Sequence, residues 1–306
     1  MFVGLTTVDL IHRVARPIGV DEKQSALSQE IVAGGPAANA AVTFALLGGD
    51  AELVTDLGRH PLAELARQDL TSYGVRVRAV EPDSQATPAV SSIRVLDDTG
   101  ERSVVSVNAA ARTVSAPDWL PGVLADADVL LLDGHHPRLA LVAARAARDR
   151  RVPIVLDAGS WKPVLDELLP LVDIAICSAD FAVPGARDPA VELLDRGVAT
   201  VAVSRGGQPL GWWTRDGTGE VPVPQVEVRD TLGAGDVLHG AFAFERARSG
   251  TGSANRAGSA RSARSAGSAD SSDIAEQLAR AAGVASRRCT FAGIGSWREH
   301  LAGRHG

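Results

Sequence analysis

The chain has 306 residues, 45% of them hydrophobic, enough for one large domain or two small ones with a sizeable core. Its formal net charge of −6 argues against nucleic acid or an anionic membrane as the main partner. The only cysteines, Cys177 and Cys289, are far apart and lack metal-ligand spacing, which fits a reducing cytoplasm.

Residues 2–5 read as a buried strand, and Asp9 falls just past its end, where open α/β sheets place ligands. An acid there can accept hydrogen bonds from hydroxyls, although a turn or cap is the commoner use. The start lacks a basic region and a long apolar core, so it reads as a strand and not as a signal peptide. No apolar run approaches membrane-spanning length. Residues 12–33 are short extended pieces. Then Gly34-Gly35-Pro36 predicts a tight turn into an Ala-rich helix that stops at Gly48-Gly49. The paired glycines let a ligand approach the backbone, or let the helix pack closely.

Residues 51–79 follow as strand, helix and strand. Residues 89–107 differ: two alternating β runs flank Asp97-Asp98-Thr99-Gly100, a hairpin signal. With residues 12–33 they predict a small separate sheet. Arg102, Ser106 and Asn108 project from it, most simply into solvent. The α/β alternation resumes with a buried strand at 128–133 and a helix from Pro137 to about residue 150. His135 and His136 between them do not share a helix face and have no third ligand nearby, so a metal site is not expected, but one imidazole at a strand end can touch a substrate. Lys162, past a strand at 153–156, either faces an anion or is solvated. A strand at 173–177 leads to Ser178 and Asp180, and one at 200–204 to Gly206. Trp212 and Trp213 face opposite sides of a strand, as packing residues. Residues 221–228 read as further β structure.

Asp230-Thr231-Leu232-Gly233-Ala234-Gly235-Asp236 then joins this β-rich run to an apolar helix. Two glycines remove Cβ atoms where backbone must pass close to something. The first amides of the helix point outward with the positive end of its dipole behind them, which suits a phosphate. Asp236 beside such a site repels the phosphate, so its chemical use is to take a proton from an attacking hydroxyl. A Gly-containing turn with an Asp cap is the plainer alternative. Residues 249–272 hold only Ser, Gly, Ala, Arg, Thr, Asn and Asp, and read as a flexible insertion between helices. Residues 274–289 are helical.

The string DTLGAGD resembles the signature of the ribokinase (PfkB) family of carbohydrate kinases, and GGPAANAA resembles that family's N-terminal signature. The resemblance spans the chain apart from 249–272 and looks closest to the fructokinase-like and sulfofructose kinase-like branch. It implies one ribokinase-like domain over 1–306. The implied fold is a three-layer α/β/α sandwich with a mostly parallel sheet, lidded by strands from about 12–33 and 89–107. It implies Asp236 as catalytic base and the Gly233, Ala234 and Gly235 amides as anion hole. It places Asp9, Gly34, Gly35, Asn39, Lys23 and His135 at the sugar, and Thr231, Ser204, Gly206, Ser178 and Gly293 at the nucleotide. It implies ATP and Mg2+, allows a monovalent cation, and suggests a homodimer through the lid. The family's Asn-x-x-Glu motif is replaced here, with Ser178 and Phe181 at its ends, so no residue is assigned to magnesium, and Asp180 is only a conceivable substitute. Other readings are a nucleoside kinase or a non-catalytic sensor on the same fold. A dehydrogenase is disfavoured because no G-x-G-x-x-G follows the first strand.

Overall fold

The computed structural model describes residues 1–109, 112–256 and 271–303. Among them a nine-stranded sheet runs in the order β13 (Thr218–Val221), β12 (Gln208–Thr214), β11 (Thr200–Arg205), β10 (Ile174–Cys177), β9 (Ile154–Ala158), β8 (Leu130–Leu132), β1 (Phe2–Val3), β4 (Glu52–Thr55) and β5 (Arg76–Ala79). All neighbours from β11 to β5 are parallel, while β12 and β13 are antiparallel at one edge.

The middle strands are apolar on both faces, so both need covering. Ile174 and Ile176 enter one core, Ala175 and Cys177 the other. Helices α1 (Pro36–Leu46), α2 (Pro61–Ser72), α7 (Ala234–Arg256), α8 (Ser271–Arg288) and α9 (Ile294–Ala302) cover the first face. Helices α3 (Leu120–Val123), α4 (Pro137–Arg150), α5 (Leu165–Leu168) and α6 (Pro189–Asp195) cover the second. This is the expected three-layer sandwich. Trp212 packs into the first core and Trp213 against the second, on opposite faces of β12.

The small sheet runs β3 (Ser28–Gly34), β2 (Thr7–Val14), β6 (Ala89–Leu96), β7 (Arg102–Ser106). Its inner face carries Ile11, Ile93 and Val95, which pack on Leu232 of the glycine-rich turn and Ile294 of α9. The small sheet, expected as a lid, is therefore seated on that turn.

Three details differ from the sequence reading. First, β1 ends after two residues, because the Leu5 N–H donates to the Asp133 carboxylate at 2.8 Å and not to a neighbouring strand. The chain then crosses to the small sheet, so Asp9 lies within β2 and not past the end of a central strand. Second, the strand before the turn stops at Val221, since Pro222 and Pro224 have no N–H to donate. Third, α7 continues through Arg256 and α8 begins at Ser271, because helix propagation needs only local hydrogen bonds. The rest of the expected insertion, 257–270, lies outside the described residues.

Helices α1 and α7 cross in close contact at Gly240, where a Cβ would fall 2.3 Å from the Ala40 carbonyl oxygen. Gly240→Ala must push the two helices apart and should cost about 1–3 kcal/mol of stability. Chemical denaturation measures this, and an unchanged midpoint would show that the crossing is loose.

Candidate active site

The glycine-rich turn is fastened from below. Asp230 is fully buried, and its Oδ1 accepts the Leu232 N–H at 2.8 Å. Its Oδ2 accepts from the Gly293 N–H at 3.0 Å and from the guanidinium groups of Arg288 and Arg13, each at 3.3 Å. A buried carboxylate needs this many donors. Gly233 then takes φ +74°, a conformation that disfavours any side chain, and starts α7. The Ala234 N–H turns back onto the Thr231 carbonyl at 3.1 Å. Among the described residues the N–H groups of Gly233, Gly235 and Asp236 have no hydrogen-bond partner, so these are the donors of the turn free to meet an anion. The Thr231 hydroxyl accepts from Arg102 of the lid at 2.9 Å, so Arg102 faces the turn and not only solvent.

Asp236 stands in the first turn of α7. Its Oδ2 accepts from Asn39 Nδ2, on α1, at 2.6 Å. Three residues on, one face of the helix presents His239, whose Nδ1 lies 3.0 Å from Asp157 Oδ2 at the end of β9. His239 Nε2 lies 3.2 Å from the Ile176 carbonyl, which only accepts, so that nitrogen carries a proton. Burial opposes a charged imidazole here, but the Asp157 carboxylate outweighs it and holds His239 above its usual range. Burial and the nearby Asp157 charge push Asp236 up to about 6, against the Asn39 hydrogen bond and the His239 charge, which pull it down. Asp236 is thus poised near neutrality, where a proton acceptor works best.

Asp9 of β2 closes the other side. It is 8% exposed, accepts from the Thr7 hydroxyl at 2.5 Å, and is held above the usual carboxylate range by burial. A Cβ on Gly34 would fall 1.9 Å from Asp9 Oδ2, so only glycine admits this carboxylate. Gly35 caps α1. Asp9, Gly34, Gly35, Asn39 and Asp236 are therefore brought together, with Ser91 of β6 in register beside Asp9.

A cavity of about 210 Å³ opens on the far side of the turn, lined by Ser204, Gly206, Thr231 and Gly235, with Leu210, Val223, Leu238 and Ala282 as an apolar wall. That wall suits a flat ring and the turn suits its attached anions. Two residues expected there lie elsewhere. Ser178 donates to the Gly159 carbonyl at 3.0 Å. Gly293 is drawn under the turn by Asp230, and a Cβ on it would meet Glu30 of β3 at 2.2 Å, so it packs against the lid sheet. Of the residues expected at the sugar, His135 lies 3.2 Å from Asp133 and Lys23 is exposed in the loop after β2. Lys162 donates to the Ser160 carbonyl at 3.2 Å.

Among the described residues, Asp157, Asp236 and His239 form a group whose ligand atoms lie within 4.8 Å of one another. The set does not fit magnesium. One donor is an imidazole nitrogen already against a carboxylate, whereas magnesium takes oxygen ligands and keeps its waters. Asp180 is exposed and outside the group. Asp157, His239 and Arg298, which donates to Asn39 Oδ1 at 2.7 Å, were not singled out from sequence. The spacing of three between Asp236 and His239 was a readable signal, while nothing marked the other two.

A model of pfkB family carbohydrate kinases matches residues 1–289. An ATP-dependent ribose-1-phosphate kinase of Halopiger xanaduensis is 30% identical over 78% of this chain and 81% of its own. An aminoimidazole riboside kinase of Salmonella typhimurium is 30% identical over 81% of this chain and 80% of its own. The fold matches the Arabidopsis thaliana ribokinase solved with ribose and ATP at a TM-score of 0.72 and 22% identity, over 98% of this chain and 96% of that one.

The elevated Asp236 makes a stability prediction. Its proton affinity is higher folded than unfolded, so the stability it lends is present below about pH 3.8 and lost as pH rises through about 6. At pH 8 the ionised group is a net cost. Asp236→Asn should then melt at or above the parent, by about 1–2 kcal/mol allowing for water at a partly open carboxyl, and the gap should close below pH 5. Calorimetric melts at both pH values would expose a wrong sign.

Proposed function

The chain belongs to the pfkB family of carbohydrate kinases, and from that footing we propose that it transfers the terminal phosphate of ATP to a hydroxyl of a sugar or riboside, with Asp236 as general base. The observation that carries this reading is the partly open Asp236 carboxyl, raised to about 6, beside the unpartnered backbone N–H donors of the turn. A receptor that only binds sugar has no need of such a base.

The acceptor lies between Asp9, Asn39 and the Gly34 backbone, with its reacting hydroxyl against Asp236. The nucleotide base occupies the cavity walled by Leu210 and Leu238. Asp236 takes the hydroxyl proton as the oxygen bonds to the terminal phosphorus and the bridging P–O bond to ADP breaks. The Gly233 and Gly235 amides donate to the transferring oxygens. Magnesium would come with the nucleotide and would neutralise phosphate charge there, and no residue of this chain is assigned to hold it or a monovalent cation. Two relatives named for ribose-bearing acceptors support a furanosyl substrate.

The unpaired Cys177 and Cys289 fit a cytoplasmic setting, and no helix among the described residues is long and apolar enough to cross a membrane. Leu10, Ile31 and Val105 line one row on the outer face of the small sheet, with Ile31 45% and Val105 67% exposed, which supports pairing of two lids in a homodimer.

Two measurements test the reading. Asp236→Asn should lower kcat by at least about 10²- to 10⁴-fold while nucleotide affinity by calorimetry stays within about twofold; comparable turnover would remove the base. An ATP-consumption screen across ketoses, aldoses, sulfosugars and nucleosides should give one dominant class, with the new ester located by NMR. Consumption independent of any acceptor would contradict sugar phosphorylation.

A further inference from the structure

We infer that Arg298, on α9 beyond the family-matched residues 1–289, is a positioning residue that locks the Asn39 side-chain amide with its NH2 group toward the Asp236 carboxylate. The inference rests on the reading of Asp236 as the base. Arg298 is 1% exposed. Its Nη1 donates to Asp69 Oδ2 at 2.9 Å, and its Nη2 donates to the Ala33 carbonyl at 2.9 Å and to Asn39 Oδ1 at 2.7 Å. The Tyr73 ring lies 5.4 Å from the guanidinium carbon.

The chemistry leaves one orientation. A guanidinium has donors only, so the end of the amide that meets it must be the oxygen. An ionised carboxylate has acceptors only, so the end that meets Asp236 must be the NH2. The two contacts agree, and the chain of polarity runs Asp69, Arg298, Asn39, Asp236 without a break. Were Arg298 absent, nothing in this contact set would hold the Asn39 oxygen inward. The amide could turn and set its oxygen against a carboxylate oxygen only 2.6 Å away. That contact repels an ionised base, so the base would protonate more readily or swing off the acceptor.

The same arginine also holds the lid. Asp69 accepts the Ala33 N–H at 2.8 Å while Arg298 takes the Ala33 carbonyl, so the ion pair grips both polar groups of the residue before Gly34. The backbone against which Asp9 packs and the amide that directs Asp236 thus share one fixed point. The groups facing Asp236 are Asn39 from α1, His239 from its own helix, Asp157 from β9 and Asp9 from β2. Of these, Asn39 is the one hydrogen-bonded to Arg298, whose charge also acts on Asp9.

The test is a double-mutant cycle on the full chain with Arg298→Met, Asn39→Ala and both together, with Arg298→Lys as the conservative variant. Arg298→Met should lower kcat by about 10- to 100-fold, the scale of a hydrogen bond to a charged group, with KM for ATP within about twofold. In the Asn39→Ala background the same change should cost clearly less than in the parent, leaving only what its Ala33 contact contributes. Arg298→Lys should fall between, since one ammonium cannot reproduce the planar fork. Carbon-13 titration of the Asp236 carboxyl, assigned with Asp236→Asn, should show its midpoint moving up in Arg298→Met. Additive losses in the cycle, or an unmoved midpoint, would overturn the inference. If Arg298→Met does not fold, Arg298→Lys and Asp69→Asn carry the same titration, each with a smaller upward shift expected. If no acceptor is ever phosphorylated by the parent, the base assignment fails, yet the carboxyl titration still decides the amide lock.

Discussion

One hydrogen bond, from Asn39 Nδ2 to Asp236 Oδ2 at 2.6 Å, joins the starts of the two helices that matter most to this molecule. Helix α1 begins at the turn that admits Asp9. Helix α7 begins at the turn that offers backbone donors to an anion. The bond can form only if those helix starts approach to side-chain length, and the Gly240 crossing is what lets the helices come so close. The central sheet supplies a rigid floor for both, since its strands are packed on each face.

Charge at this point is arranged so that the base is neither quenched nor neutral. Asp9 and Asp236 are both raised above the usual carboxylate range, burial being the first cause for each, and the Asp157 charge adds to the rise at Asp236. The His239 charge and the Asn39 donor offset part of that rise. Below the turn, Asp230 is treated differently: two arginines and two backbone N–H groups satisfy it, so its place is to hold shape. The two aspartates that bracket DTLGAGD thus serve opposite ends, one structural and one chemical, and the difference lies in their partners.

Much of this was legible in the residues. The alternation of short apolar strands with helices gives the sandwich, Asp97-Asp98-Thr99-Gly100 marks the lid hairpin, and the two glycine strings mark the helix starts that form the site. Asp9 was seen as a ligand but placed on the wrong sheet, because the early end of β1 depends on Asp133, far along the chain. Gly293 looked like a nucleotide loop, but its N–H is claimed by Asp230, another long-range bond. Arg298 carried no signal, since an arginine in an amphipathic helix ordinarily faces water, and only the assembled fold turns it inward onto Asn39. What local pattern cannot encode is which distant polar group will complete a buried one.

The central claim is that a desolvated carboxylate at the α7 start takes the proton from the acceptor. The pH dependence of kcat/KM for a confirmed acceptor tests it most directly, because it reports the base in the free enzyme. The account predicts a rise over a single protonation step with a midpoint near 6 and a plateau above it. A profile flat from pH 5 to 8, or one whose rise is complete by about pH 4.5 as for an ordinary aspartate, would contradict it.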